Sequence, residues 1–300
     1  MKKKRINTLN DYYKSIFNTK VVKISINANM TCPNRDGSKG YGGCSFCTTT
    51  PFIGDFNEPI LTQFENVKNL LSKKWKDAKY IAFLEYGSNT YADVSKLKEI
   101  YEPLLCIDDV VGLSIATRCD CLNDDILNYL CDLNKRTFLT VELGLESSNN
   151  DTLKLINRGH TKEDFIDAVI KLKRRNIRVV AHIINGLPND TEEDMINTIR
   201  LLNDLKVDGI KFHMLYIDKQ SRMYSDYLNK PFHILTMDEY ISILSHQISI
   251  LDKDIVIHRL VSGPSRLTLF EPTWLNHKFL ILNSIDKYLE EHDIYQGCSL

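Results

Sequence analysis

The sequence lacks three features that would assign it to a class at once: a long apolar run, a large net charge and a linker. No apolar run approaches the roughly 20 residues of a membrane-spanning helix, so we expect no membrane partner. Its 38 basic and 39 acidic residues nearly balance, so no overall positive field indicates nucleic acid. No Pro- or Ser-rich stretch separates two halves, and low-complexity tracts are absent. With 300 residues, 43% of them hydrophobic, the chain can bury a full core.

The chain also shows no sign of an oxidising compartment. The run Met1-Lys2-Lys3-Lys4-Arg5 is basic, but no apolar segment follows it, so we expect no secretory signal peptide. Eight cysteines in such a chain favour reduced thiols and a cytoplasmic location. Five of them are scattered and are interpreted as small core residues, a second cluster on the pair at 119 and 121 being the alternative: Cys106, Cys119, Cys121, Cys131 and Cys298.

The other three cysteines stand in one glycine-rich loop. Cys32, Cys44 and Cys47 follow Val21–Ile26, an alternating apolar run that is typical of a strand. A [4Fe–4S] cluster held by three cysteines keeps one iron open for a substrate or cofactor. Zinc is the alternative, but it needs a fourth Cys or His at knuckle spacing, and none follows Cys47 within the next 40 residues. The spacing favours the cluster and leaves zinc open.

Strand and helix patterns alternate after this loop. Strands are predicted at 21–26, 80–84, 110–116, 138–143, 177–184 and 209–215, with helices at 64–75, 94–105, 123–133, 161–175 and 191–205. Such repeats predict a parallel sheet with helical crossovers. A closed eight-unit barrel takes about 250 residues, and only six units are complete by Leu215. The predicted fold class is therefore α/β, a partial (β/α)6 TIM-like barrel.

The pattern changes after the sixth unit. A helix at 237–251, a strand at 255–258 and a helix at 277–291 predict a C-terminal α/β extension that flanks the barrel. We therefore divide the chain into an N-terminal segment (1–20), the barrel (21–235) and the extension packed on it (236–300).

Several segments, in order along nearly the whole chain, resemble one known family. They are Cys-Pro-Asn-Arg-Asp-Gly at 32–37, Gly-Ser-Asn-Thr-Tyr at 87–91, Gly-Leu-Glu-Ser at 144–147, Asn-Arg-Gly-His-Thr at 157–161, Gly-Leu-Pro at 186–188 and Gln-Gly at 296–297. The chain thereby resembles the radical S-adenosylmethionine (SAM) superfamily, and more closely its YhcC/YtqA (MnmL-like) family. Eleven residues separate the first two cysteines, which departs from the common C-x3-C-x2-C spacing. This long first spacing is similar to that of the elongator catalytic subunit branch.

The resemblance implies two cofactors and the residues that hold them. Cys32, Cys44 and Cys47 would bind a [4Fe–4S] cluster, and the open iron would bind SAM, which is cleaved reductively to a 5′-deoxyadenosyl radical. The implied cofactor-binding residues are Phe46, Gly87, Ser88, Asn89, Thr117, Glu146, Arg158 and His182. Within this set, Arg158 would pair with the SAM carboxylate, and Glu146 stands where relatives usually carry Gln. Without the resemblance, 87–89 is an ordinary βα turn, and His182, like His213, is a satisfied core residue.

The resemblance also implies the substrate. Relatives suggest tRNA, with a carboxymethylaminomethyl group of the wobble uridine converted to aminomethyl, and a reductant such as flavodoxin or ferredoxin. A basic stretch, Lys171–Arg178, is a candidate phosphate contact, its alternative being a solvated helix face. Tyr216, Trp274 and Lys278 are candidates for substrate contact.

Two other functions remain open on the sequence. One is a radical SAM enzyme that acts on a small metabolite, since no separate RNA-binding module of the RRM or KH type is present. The other is a zinc-stabilised barrel that binds a partner without redox chemistry.

Overall fold

A sheet of seven parallel strands forms the body of the computed structural model, which describes residues 4–48 and 58–300. In their order across the sheet, the strands are β1 (Val21–Ile26), β2 (Lys79–Leu84), β3 (Val110–Thr117), β4 (Phe138–Glu146), β5 (Arg178–Asn185), β6 (Gly209–Met214) and β8 (Val256–Arg259). A separate antiparallel ribbon pairs β7 (Ile217–Asp218) with β9 (Leu269–Glu271). Residues 1–3, part of the basic N-terminal run, lie outside the described residues.

Helices connect the strands. They are α1 (Leu9–Phe17), α2 (Ile60–Ser72), α3 (Val94–Leu105), α4 (Asp124–Asn134), α5 (Asn150–Leu155), α6 (Lys162–Lys173), α7 (Glu192–Asp204), α8 (Arg222–Asn229), α9 (Met237–Ile250) and α10 (Lys278–Glu291). The two predicted helix starts are confirmed by their N-cap residues. The Asn123 side chain accepts a hydrogen bond from the N–H of Ile126, and Thr161 forms a capping box with Asp164. Within residues 4–48 and 58–300, no helix is long and apolar enough to cross a membrane.

The predicted fold class, a partial TIM-like barrel, is confirmed: the sheet is a curled half-barrel. One difference concerns the extension. Its strand β8 pairs in parallel with β6, with Gly209 opposite Val256, so it adds a seventh strand to the sheet. The sequence pattern located this strand but not its partner, because the ribbon strand β7 and α8 intervene between β6 and the crossover helix α9. The two boundaries between the three predicted segments remain predictions.

The core follows from burial on both faces of the sheet. In β2, every residue from Tyr80 to Leu84 is buried, as expected for a parallel strand covered by helices. The C-terminal motif also serves the fold: Gln296 donates from Nε2 to the carbonyl oxygens of Asp252 and Ile255, at 2.7 and 2.8 Å. This contact ties the C-terminal residues to the turn that precedes β8.

Candidate active site

A cavity of about 650 Å³ opens at the C-terminal edge of the parallel sheet. Thr117 and Glu146, the last residues of β3 and β4, mark this edge. Ten of the eleven predicted site residues line the cavity: Cys32, Cys44, Phe46, Cys47, Gly87, Ser88, Thr117, Glu146, Arg158 and His182. Active sites of barrels form at this edge, so residues far apart in sequence meet where cofactor chemistry is expected.

Asn89 is the predicted residue that does not line this cavity. Its side chain is buried behind the wall and donates from Nδ2 to the carbonyl oxygens of Leu84 and Ala116, at 3.0 and 2.9 Å. These bonds link the end of β2 to β3. Asn89 therefore holds the turn at 87–88 in place, and its contact with a cofactor remains a prediction.

The turn after β2 lies directly against the cysteine loop. Ser88 donates its backbone N–H to the carbonyl of Thr31, at 3.0 Å. Gly87 has φ +78°, and a Cβ there would lie 2.1 Å from the carbonyl oxygen of Met30. Only glycine allows this approach, which brings the backbone of the turn next to Cys32.

The cysteine loop is fastened by two asparagines that the sequence analysis did not single out. Asn34 donates from Nδ2 to the carbonyl of Asn157 at 2.6 Å, and Asn157 donates from Nδ2 to the carbonyl of Gly43 at 2.8 Å. Both residues lie inside the family-like segments, which was the only sequence signal for them. These two hydrogen bonds hold the cysteine loop against the segment that carries Arg158.

Two guanidinium groups face the cysteine sulfurs. Arg35 donates from Nη2 to Cys47 Sγ at 3.1 Å, and Arg158 donates from Nη1 to Cys44 Sγ at 3.6 Å. Burial raises the pKa of the Cys47 thiol, so a lone thiolate there is costly and bonding to iron removes that cost. Across residues 4–48 and 58–300, no group of three or more His, Cys, Asp or Glu side chains has the spacing of a single-ion site.

Arg158 is held at the back of the cavity with one donor left over. Its Nη2 donates to the carbonyl of Gly144 at 2.8 Å and lies 3.4 Å from Glu146 Oε1. Its Nε is buried and has no hydrogen-bond partner among the described residues. Burial disfavours the guanidinium charge, but the Cys44 sulfur and the Glu146 carboxylate raise the pKa of Arg158 above its usual value. A positive group with a free donor fits the carboxylate of a bound cofactor.

An irregularity in β4 aims Glu146 at Arg158. The pairing of β4 with β5 slips between Gly144 and Glu146, and Glu146 has φ +71°, in the left-handed region. A Cβ at Gly144 would lie 2.4 Å from both Arg158 Nη2 and Glu146 Oε1, so a larger residue there would displace the ends of this ion pair. Burial raises the pKa of the Glu146 carboxyl, with Arg158 and Arg118 opposing it.

A buried charge network that the sequence analysis missed forms the floor of the cavity. Glu142 in β4 is fully buried and contacts the Nζ atoms of Lys23 and Lys211, which enter from β1 and β6. Its carboxylate also accepts from Ser114 Oγ at 2.6 Å and lies 2.7 Å from His182 Nε2. The sequence does contain an indication of this network: each of its residues is a polar side chain within an otherwise apolar strand, on the face that lines the inside of the sheet.

The network determines the charges at the floor. Burial opposes ionisation of Glu142, but Lys211, Lys23 and His182 hold its pKa well below the usual value. Burial lowers the pKa of His182 to about 4 and that of Lys211 to about 8. His182 therefore lies in the cavity wall as a neutral ring next to Glu142, with the His213 ring 5.3 Å away.

The structure separates the remaining candidate residues into those that line the cavity and those that do not. Tyr216 lines the cavity. Trp274 donates from Nε1 to the carbonyl of Leu235 at 3.2 Å and packs on Tyr240, as a core residue does. Cys119 and Cys121 are buried away from the cavity wall, and burial raises the pKa of each to about 12.

The basic stretch Lys171–Arg178 lies at the opposite edge of the sheet. It spans the last turn of α6 and the first residue of β5. The two edges of the sheet are separated by the length of β5, which has eight residues and is therefore roughly 23 Å long at about 3.3 Å per residue. Its cations are also engaged: Lys171 pairs with Asp167 at 2.6 Å, and Lys173 with Asp208 at 2.9 Å. These contacts support the solvated-face interpretation of the stretch.

Comparison with known proteins agrees with this geometry. The sequence profile of the radical SAM superfamily matches residues 23–202, and that of the radical SAM C-terminal domain matches residues 207–291. Protein YtqA of Bacillus subtilis is 41% identical over 298 residues, covering 98% of this chain and 92% of YtqA. A tRNA uridine(34) acetyltransferase of Methanocaldococcus jannaschii is 28% identical over 200 residues, covering 63% of this chain and 34% of that protein.

A solved structure shares the fold. The Elp3 protein of the archaeon Methanocaldococcus infernus superimposes with a TM-score of 0.68 at 18% identity, covering 92% of this chain and 64% of that one. The fold and cavity thus define a partial-barrel enzyme class with cysteines at the carboxyl edge of the sheet. The chain belongs to the radical SAM superfamily, and the resemblance to the YhcC/YtqA family is confirmed. Its cofactors are accordingly a [4Fe–4S] cluster and SAM, which decides against zinc.

Proposed function

We propose that this radical SAM enzyme modifies the wobble uridine of tRNA, converting a carboxymethylaminomethyl side chain to aminomethyl. The observation that carries the proposal is the convergence of the three loop cysteines, the turn at 87–88 and Arg158 on one cavity at the carboxyl edge of the sheet. Its volume of about 650 Å³ is in the range of ligand sites.

Each group of residues in the cavity takes one part of cofactor binding. Cys32, Cys44 and Cys47 would hold the cluster, and Arg35, which donates to Cys47 Sγ, favours the thiolate form of that cysteine. Gly87 and Ser88 present backbone groups to the methionyl part of SAM. Arg158 receives its carboxylate, using the Nε donor that the protein leaves unpaired.

Other residues shape the adenosyl and substrate sides. Glu146 and Thr117, at the ends of neighbouring strands, offer acceptors for ribose hydroxyls, and Phe46 offers an apolar face. When bound, the cluster would supply the one-electron reduction of SAM that radical chemistry on the substrate requires. His182, kept neutral by burial and Lys211, borders the space where the substrate would lie.

The substrate assignment is supported by the relatives. The acetyltransferase similar to this chain acts, by its name, on uridine 34 of tRNA, the wobble position. The likeness to YtqA spans almost the entire chain, so the C-terminal extension is included in it. A reductant such as flavodoxin or ferredoxin completes the proposal as electron donor.

Arg158 provides a direct test of the SAM site. Because a charged hydrogen bond is lost, Arg158→Ala should weaken SAM binding by about 1.5–3 kcal/mol, measured by equilibrium binding to the cluster-loaded enzyme. Arg158→Lys keeps the charge but not the planar fork, so it should restore only part of the affinity. Arg174→Ala, at the exposed arginine that caps the C-terminus of α6, is the control. Unchanged SAM affinity in Arg158→Ala would remove this residue from the site.

The proposed activity is tested with reduced enzyme and tRNA. Anaerobic, cluster-loaded enzyme with dithionite and SAM should release 5′-deoxyadenosine, and tRNA bearing the carboxymethylaminomethyl group should increase that release. The same tRNA without the group is the control. Release that no tRNA stimulates would contradict the tRNA assignment and favour a small metabolite as substrate.

A further inference from the structure

Three cations of the C-terminal extension lie together beside the cavity. Arg259 ends β8, and its Nη2 lies 3.8 Å from Oε1 of Glu85, a residue of the cavity wall. Arg266 donates from Nη2 to the carbonyl of Asn276 at 3.1 Å, two residues before Lys278. Burial, and after it the positive charge of Arg259, lowers the pKa of Lys278. We call Arg259, Arg266, Lys278 and the adjacent Phe279 the cationic rim.

The positive charge of the rim is poorly compensated within the protein. In the part of the chain that the structure describes, neither Arg266 nor Lys278 pairs with a carboxylate, and Arg259 has only the 3.8 Å contact with Glu85. Among the described residues only Arg259 of the three has an acidic partner, at the long distance of 3.8 Å, so the cations repel one another and an anionic ligand would relieve this repulsion.

An aromatic ring stands exposed beside these charges. Phe279 follows Lys278 at the start of α10 and is 84% exposed. A single exposed apolar side chain is ordinary on a protein surface, but an exposed aromatic ring beside cations provides a face on which a base can stack. Cations that reach phosphates, combined with an aromatic face on which bases stack, are the elements by which proteins bind unpaired RNA.

We propose that the cationic rim binds the unpaired loop of the tRNA substrate, with Arg259, Arg266 and Lys278 contacting phosphates and Phe279 stacking on a base. This inference rests on the proposed function and replaces the stretch Lys171–Arg178 as the RNA surface. The rim borders the cavity through Glu85, whereas that stretch lies at the far edge of the sheet. A nucleotide held at the rim is therefore next to the site where SAM is cleaved.

Two triple variants of equal charge change test the rim. The first is Arg259→Gln, Arg266→Gln and Lys278→Gln, and the control is Lys173→Gln, Arg174→Gln and Arg175→Gln. Affinity for full-length tRNA is measured with cluster-loaded protein over a range of salt, and iron content verifies that each variant is folded. The rim variant should lose at least about tenfold in affinity, and its log–log salt slope should fall by about 2, since a single-strand phosphate contact contributes about 0.7. The control should stay within about twofold of wild type.

Phe279 is tested separately because stacking does not depend on charge. Phe279→Ala should weaken tRNA binding by roughly 5- to 100-fold, with an unchanged salt slope. Phe279→Tyr keeps an aromatic face and should restore the affinity. A Phe279→Ala variant that binds as wild type would remove stacking from the proposal.

The outcomes separate this inference from the proposed function. Wild-type tRNA affinity in the rim variant, or equal losses in both triple variants, would overturn the rim while leaving the tRNA substrate in place. Absence of tRNA binding by the intact, loaded enzyme at low salt would overturn both. A rim that binds an acidic peptide but no tRNA would also overturn the inference.

Discussion

Replacing Cys32, Cys44 and Cys47 together by Ala is expected to abolish iron binding and, with it, SAM cleavage. The three thiols line one cavity, and the family to which the chain belongs uses a [4Fe–4S] cluster. Without their thiolates no group in the loop replaces them as iron ligands. Iron and sulfide content after anaerobic reconstitution measures the loss, and 5′-deoxyadenosine release should fall to the level of cluster-free protein.

The chain offers a matched control for this loss. Cys106, Cys131 and Cys298 are three further free cysteines, none of which lines the cavity. Their joint replacement by Ala removes the same number of thiols and should leave the iron content unchanged. If the loop variant kept full iron, or if both variants lost it equally, the assignment of the cluster ligands would be wrong.

Replacing Glu142 by Gln is expected to reduce the free energy of unfolding by about 3–5 kcal/mol. The substitution preserves shape but leaves the buried Lys23 and Lys211 without their anion. Because the pKa of Glu142 is depressed in the folded state, its contribution is present above the ordinary carboxyl pKa of 4.5 and is lost as the pH falls below it. Denaturant unfolding at neutral pH measures the loss.

A surface ion pair provides the comparison. Glu102 pairs with Arg136 at 2.6 Å, but the two side chains are 37% and 49% exposed. Glu102→Gln should therefore cost at most about 1 kcal/mol. Adding Lys211→Met to Glu142→Gln should recover part of the stability, because one unpaired charge is removed. A loss below about 1 kcal/mol in Glu142→Gln would show that water or another group already compensates the lysines.

Local patterns in the sequence predicted the fold well. Apolar runs located the strands, and capping residues such as Thr161 located helix starts. A helix start was predicted less accurately where no capping residue marks it. The apolar spacing indicated that α2 starts at Phe64, but it begins at Ile60, since its N-cap Pro59 makes no side-chain hydrogen bond that the sequence could reveal. The pairing of β8 with β6 was not predictable, since strand partners are determined by tertiary packing.

The location of the candidate site could be predicted from the sequence, because the order of strands and loops along the chain determines which residues lie at the carboxyl edge of the sheet. Parallel strands bring their carboxyl ends to one edge, so residues after different strands, such as Gly87, Thr117 and Arg158, had to approach one another. The floor network around Glu142 was not predicted, because the sequence does not tell which face of a strand lines the inside of a barrel. The basic stretch ending at Arg178 leads into β5, so chain order already assigns it to the amino edge of the sheet, and the structure puts it far from the cavity.

The central claim is tested most directly by the nucleosides of tRNA in cells with and without this gene. Mass profiling of digested tRNA should show that, in the deletion strain, aminomethyl-type wobble uridines disappear and their carboxymethylaminomethyl precursors accumulate. Restoring the wild-type gene should reverse the change, and restoring the Cys32, Cys44 and Cys47 triple variant should not. Identical wobble nucleosides in all strains would contradict the account and leave a radical SAM enzyme with another substrate.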